Sequence, residues 1–235
     1  MKYRHSKLGV AWSVLMPLGL AIIVGGVYSL LFDTPPTELI PLIFASINPW
    51  NFLSGSADAA TMCFPAAEGY IKQSAVSSVI FPIRTVMTAF VTLLYSVITF
   101  FAIYLFMKPQ LFGPVMFMCV PGLIIMFIFA LGLANMTSVA NLYVRDFAPM
   151  QGLILQGLFY ATPIIYNAQA LADRGYSFVY EINPFYYMLE VVRKPMMGSM
   201  PDARCYVIAT AIAALVFVTG VRVQIRSRRE IVYLL

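Results

Sequence analysis

The chain has 235 residues, of which 61% are hydrophobic and 11% charged, with a formal net charge of +5. A soluble domain carries roughly 25% charged residues, so a water-solvated surface is hard to build from this sequence. An ordinary soluble enzyme or binding module is excluded, and the composition fits an all-α integral membrane protein.

Uncharged runs extend over Leu8–Phe32, Leu39–Ala57, Thr85–Met107, Pro109–Val144, Phe147–Ala172 and Cys205–Val221. Crossing about 30 Å of hydrocarbon takes about 20 apolar residues in a helix. The first five runs meet or approach that length, and the last gains length if Arg222 snorkels at its end. Pro109–Val144 is too long for one span and too short for two with a turn, so its helix is expected to begin near Gly113. Six spans are predicted in a single domain over 1–235, at approximately 9–32, 39–62, 84–107, 113–138, 148–170 and 205–224. The first is longer than the roughly 7–15 apolar residues of a signal peptide and ends in no A-x-A site, so it reads as a retained anchor.

With six spans both termini share one side. Ten of the 15 Lys and Arg then fall there, including Lys2, Arg4, Lys7, Lys72, Arg84, Arg145, Arg222 and Arg226, against Lys108, Arg174, Arg193, Lys194 and Arg204 opposite. The positive-inside rule makes the first side cytoplasmic. This bias accounts for the net charge, and no nucleic-acid partner is needed to explain it.

The second span carries Asn48, Asn51, Ser54, Ser56, Asp58 and Thr61, and Asp58 is its one acid at membrane depth. Such an acid is a functional candidate, or a hydrated side chain near the cytoplasmic boundary. In the following segment, "PAAEGYIKQSAVSSVIFP", Glu68, Lys72, Gln73 and Ser77 alternate with Tyr70, Ile71, Val76, Val79 and Ile80. Residues 65–80 are therefore read as a cytoplasmic segment whose pattern suits a short amphipathic helix, lying on the membrane face or docked on a cytoplasmic partner. Between spans four and five comes "ANLYVRDFAPMQ", with Arg145 and Asp146 adjacent. Each charge would cost about 2.5–3.5 kcal/mol at the centre of a bilayer, so this is a cytoplasmic turn, either simply solvated or a contact surface. Asn135, Thr137, Ser138, Gln151, Gln156, Thr162 and Asn167 line a polar interior or bond between helices.

The outer loop over 173–203 holds Tyr176, Phe178, Tyr180, Phe185, Tyr186 and Tyr187 around Asn183-Pro184. Proline disfavours α conformation in the residue before it, so a new amphipathic helix is expected to start there, in "PFYYMLEVVRKPMM". Its aromatics form either an interfacial belt or a gate and stacking platform for a sugar.

No G-x-x-x-x-G-K-[ST] phosphate loop, G-x-S-x-G or H-E-x-x-H occurs. The only histidine is His5, and Cys63, Cys119 and Cys205 form neither a metal pattern nor a disulfide pattern. No catalytic, metal-binding or cofactor-binding set is therefore expected. No internal repeat is evident, which argues against a transporter built on inverted repeats.

Four motifs occur in order along the chain. The opening "MKYRHSKLGVAWSVLMPL" presents Tyr3, Arg4, Ser6, Leu8, Gly9, Trp12, Pro17 and Leu18. "NLYVRD" presents Asn141, Arg145 and Asp146; "FYATPIIY" spans Phe159 to Tyr166; and "INPFYYMLEVVR" presents Asn183, Pro184 and Arg193. Together they resemble the ABC-2 type permeases of polysaccharide exporters. The resemblance implies a type V exporter-like fold of six transmembrane helices, acting as a homodimer beside two copies of a separate ABC ATPase that binds ATP and Mg. It implies export of a lipid-linked glycan (O-antigen, capsule or teichoic acid) across the inner membrane by a chain that is itself no enzyme. By the same resemblance Glu68, Gly69, Tyr70, Ile71, Lys72 and Gln73 form a coupling helix, with Arg145 and Asp146 on the same face. Asn183, Pro184, Phe185, Tyr186, Tyr187 and Arg193 form an outer gate. Trp12, Tyr28, Phe159, Tyr160 and Tyr166 line the pathway by membership of spans one and five. Members of that family carry an interfacial segment ahead of the first motif; here the chain starts almost on that motif, so either the segment is lacking or the start is misassigned, and "RREIVYLL" is expected to bring no carbohydrate-binding domain. The alternatives are an ABC-2 permease for drugs or lipids, an ATP-independent lipid-glycan flippase or membrane enzyme, and a membrane scaffold.

Overall fold

The computed structural model describes residues 11–73, 76–107, 109–166 and 168–235. The expected motif residues Tyr3, Arg4, Ser6, Leu8 and Gly9, together with Lys2, His5, Lys7, Lys108 and Asn167, lie outside them. All regular structure among the described residues is helical. The helices are α1 (Trp12–Leu31), α2 (Pro36–Thr61), α3 (Glu68–Gln73), α4 (Ile80–Met107), α5 (Cys119–Tyr143), α6 (Phe147–Ala161), α7 (Gln169–Ala172), α8 (Phe178–Glu181), α9 (Pro184–Met196), α10 (Ala203–Ser227) and α11 (Ile231–Leu234).

Among the described residues three stretches are long and apolar enough to cross a membrane: Ile80–Leu105, Pro114–Tyr143 and Ala203–Ser227. The other three runs read as spans have different shapes. α1 contributes an apolar stretch over Leu15–Leu31. It ends where Asp33 adopts φ 50°, a left-handed conformation that aspartate and asparagine tolerate better than most residues, and two prolines follow to open α2. α2 is 26 residues long but broken in apolarity by two internal prolines and its Asn and Ser residues. α6 has only 15 residues, about 22 Å at 1.5 Å per residue. The helix expected to continue to residue 170 stops at Ala161, because Thr162 precedes Pro163 and is driven to an extended conformation.

α2 occupies the centre, packed on α1, α4, α5, α6 and α9, with Ile43, Ala45, Leu53 and Ala60 fully buried. Its polar side chains are mostly satisfied within their own helix. Ser46 donates to the Leu42 carbonyl at 2.7 Å, Asn48 to Phe44 at 2.8 Å, and Ser54 to Trp50 at 2.9 Å. Hydroxyls and amides turned back on the helix in this way remove the need for water at depth. α5 and α10 pack along much of their length. A Cβ on Gly132 would stand 2.5 Å from the backbone of Val216 and Phe217, and one on Gly220 would strike the Gly132 carbonyl. Small residues that let two backbones meet are the characteristic glue of helices in lipid, where apolar side chains gain little by leaving the bilayer.

The start of α5 packs on α9, while its end lies beside α3 and α11. The bundle therefore has an α9 end and an α3 end, and each gathers part of the candidate site.

Candidate functional site

At the α3 end, the segment from Pro65 is a 3₁₀ turn over Pro65–Ala67 leading into α3. The helix in this segment is α3, Glu68–Gln73, and α4 begins at Ile80. Ile71 is the one buried residue of α3. It packs with Phe64, Ala67, Val139, Leu142 and Ile231 in a small cluster separate from the main core. Tyr70, grouped with Ile71 from sequence, instead points outward at 74% exposure, and Gly69, Lys72 and Gln73 are exposed beside it. Lys72 pairs with Glu68 at 2.6 Å, with both side chains about half exposed, an arrangement that adds little stability.

The "NLYVRD" residues divide in role. Arg145 and Asp146 are exposed. Asn141 is buried and joins three helices: its amide donates to the Thr61 carbonyl at the end of α2 at 2.9 Å, and its Oδ1 accepts from the Ala148 N–H at the start of α6 at 3.2 Å. One α6 donor that has no partner within its own helix is thereby satisfied. Tyr143 donates to the Glu230 carboxylate and contacts the Ser227 hydroxyl at 3.3 Å, fastening α11 to the end of α5. Burial pushes the Cys63 thiol, between α2 and α3, up to about 12, so it stays protonated and a poor nucleophile at neutral pH.

Deeper in, Gln151 of α6 donates to Asp58 of α2 at 2.9 Å. The carboxylate is exposed and the amide buried, so this acid has a cross-helix partner that sequence did not connect to it.

At the α9 end, two motifs far apart in sequence meet. Asn183 caps α9, its Oδ1 accepting from the Phe185 N–H at 3.0 Å, with Pro184 at the first helical position. Its Nδ2 donates to the Thr162 hydroxyl at 2.8 Å. Arg193 donates to the Pro163 carbonyl and to Glu190, and approaches Ser46 of α2 at 3.4 Å. Lys194, half exposed, reaches the other Glu190 oxygen at 2.9 Å. The Pro163 carbonyl and the Thr162 hydroxyl, at the break in α6, are thus both bound by α9.

α9 lies inside the bundle, against α2, α5 and α10, rather than along an exposed face. Phe185 is buried between Trp50 and Phe129, with ring centroids 5.4 and 5.5 Å away, and Arg193 is buried too. Tyr186 and Tyr187 are half-buried, and Tyr186 lies 4.7 Å from the Tyr180 ring. Glu190, Ser46 and Thr162 complete this site and were missed from sequence as members of it. The signal available was the i,i+3 spacing of Glu190 and Arg193.

The pathway candidates form two groups. Phe159, Tyr160 and Tyr166 come together at the end of α6, where Phe159 and Tyr160 stack edge-on at 5.4 Å and Tyr166 donates to the Tyr160 carbonyl at 3.0 Å. Trp12 and Tyr28 sit on α1, which packs on α2 and α4. Outward faces of both helices are apolar: Leu15, Ile23 and Leu30 of α1, and Leu153 and Ile154 of α6, are exposed.

The described residues form a helical bundle with helices apolar enough to cross a membrane, a polar-capped buried helix at one end and a small-cored platform at the other. The ABC-2 type transporter family matches residues 1–197, and the chain belongs to that family. Two O-antigen export system permease proteins RfbA of Klebsiella pneumoniae are similar to it. One is 26% identical over 196 residues, covering 80% of this chain and 73% of the relative. The other is 25% identical over 207 residues, covering 85% and 77%.

Proposed function

We propose that this chain is the channel-forming subunit of an exporter that moves a lipid-linked polysaccharide across the cytoplasmic membrane, driven by a separate ABC ATPase. The reading is supported by family membership, by the names of the two relatives, and above all by the convergence of α3, the "NLYVRD" turn and α11 at one end. Two copies of the chain stand beside two ATPase subunits, which hold ATP and Mg. Six spans cross, both termini are cytoplasmic, and the α3 end meets the ATPase. Tyr70, Lys72 and Gln73, with Arg145 and Asp146, are the exposed contact residues there. ATP-driven closure of the partner moves α3, and the two membrane subunits part to open the pathway between them. The α9 end faces outward, where Asn183 and Arg193 hold the closing helix and Tyr186 and Tyr187 meet the emerging glycan.

Purification of the tagged chain from its native membranes in gentle detergent tests this directly. A stoichiometric partner carrying a phosphate loop is expected, and the complex in vesicles should move a lipid-linked glycan only with ATP. A chain that purifies without any ATPase and translocates glycan unaided would overturn the reading.

A further inference from the structure

The α3 platform depends on a segment far away in sequence. α3 is six residues long and buries a single side chain, Ile71. The cluster receiving Ile71 is closed by Ile231, which is fully buried although the rest of α11 is exposed. Tyr143 holds Glu230, the residue before Ile231, and touches the buried Ser227 at the end of α10. Residues 228–230 turn the chain so that Ile231 enters the cluster; Arg228, Arg229 and Glu230 are themselves exposed. An exposed helix of fewer than two turns has no stability of its own, so its position is set by what it packs on. Here that is the cluster in which Ile71 lies with Phe64 and Ala67, Val139 and Leu142 of α5, and Ile231 of α11.

We infer that Ile231 and Glu230 are positioning residues for coupling: α11 is the wedge that fixes α3 against α5 and α10, so that movement imposed on α3 reaches the spanning helices. This rests on the reading of α3 as the ATPase contact. Because α5 and α10 meet backbone to backbone at Gly132 and Gly220, a push received by the cluster is carried by two helices moving as one. With the wedge gone, α3 still presents Tyr70 to its partner, but the connection to the bundle is slack. The partner then hydrolyses ATP without moving substrate.

The test uses the full chain with its co-purified ATPase in vesicles, and reads glycan moved per ATP hydrolysed, a ratio that a loss of folded protein alone does not change. Ile231→Asp places a charge in the cluster, while Tyr143→Phe and Glu230→Ala remove only the tether and keep the fold testable. Ile231→Asp is expected to lower the ratio about fivefold or more, the tether variants to lower it in the same direction, and Ile231→Leu to preserve it. Tyr70→Glu serves as the control on α3 itself. If Tyr70→Glu uncouples while Ile231→Asp and the tether variants leave the ratio at wild type, the wedge is refuted and the coupling reading stands. If Tyr70→Glu also leaves the ratio unchanged, the contact reading of α3 falls and the wedge with it.

Discussion

Arg193 and Glu190 are the most heavily committed charges in the described chain: their side chains retain 7% and 1% exposure, in a region bounded by apolar helices. A guanidinium offers several donors in a fixed fork, and here they are used by Glu190, the Pro163 carbonyl and Ser46. Breaking a buried pair by removing one partner costs about 3–5 kcal/mol, mostly because the other charge is left unpaired. Lys194 partly covers Glu190, so the loss should fall toward the lower figure. Arg193→Ala is therefore expected to lower the thermal midpoint of the detergent-purified protein by an amount equivalent to about 3 kcal/mol. Adding Glu190→Gln should recover a large share. A single variant that unfolds at the wild-type temperature, or a double variant no better than the single, would show that the pair does not anchor α9. Asn183→Ala should also destabilise, by about 1 kcal/mol for the lost cap, and should loosen Thr162 with it.

Among the elements, the α5–α10 crossing leaves the least room. Gly220→Leu must separate two backbones already in contact, and overpacking of this kind costs about 1–3 kcal/mol where neighbours can shift. Backbone cannot shift cheaply, so the expectation is loss of the monodisperse peak in detergent chromatography, while Gly19→Ala, with nothing within 4 Å of the added carbon, should elute as wild type. Equal behaviour of the two variants would refute the close crossing. This level also shows what hydropathy could reveal. α4, α5 and α10 were legible because long uncharged runs have few other folds available. The break at Thr162 was less so: "TPI" signals a stop, but the residues after it remain apolar and mimic a continuing span. α9 was misleading for a physical reason. Two adjacent cations and an acid on a helix give the same amphipathic pattern whether they meet water or one another, and only folding brings Pro163 and Ser46 to complete the site. Likewise Ile71 and Tyr70 are neighbours in sequence, and nothing local says which of them turns inward.

For the whole molecule, the decisive question is whether α6 crosses. As a straight helix of about 22 Å it falls short of about 30 Å of hydrocarbon. Beyond the helix Thr162 is extended, and the chain continues through bends at Ile164 to Tyr166. Non-helical backbone is tolerated at membrane depth only where protein satisfies it. Here the Pro163 carbonyl accepts from Arg193, the Thr162 carbonyl accepts from the Ile164 N–H, and the Thr162 hydroxyl accepts from Asn183. α9 thus holds the chain where α6 stops, and the two inward-turned motifs are one device. The consequence is a topology that can be read by labelling single cysteines from each side of sealed vesicles, after Cys63, Cys119 and Cys205 are replaced by serine. If α6 crosses, cysteines at Ser77, Asp146 and Arg228 react from one side and one at Met200 from the other. If only α4, α5 and α10 cross, positions 77, 146 and 200 share a side and 228 lies opposite. The first pattern is the expected one, and adding Arg193→Ala to it should expose the segment around Thr162 to reagent without moving the other sites.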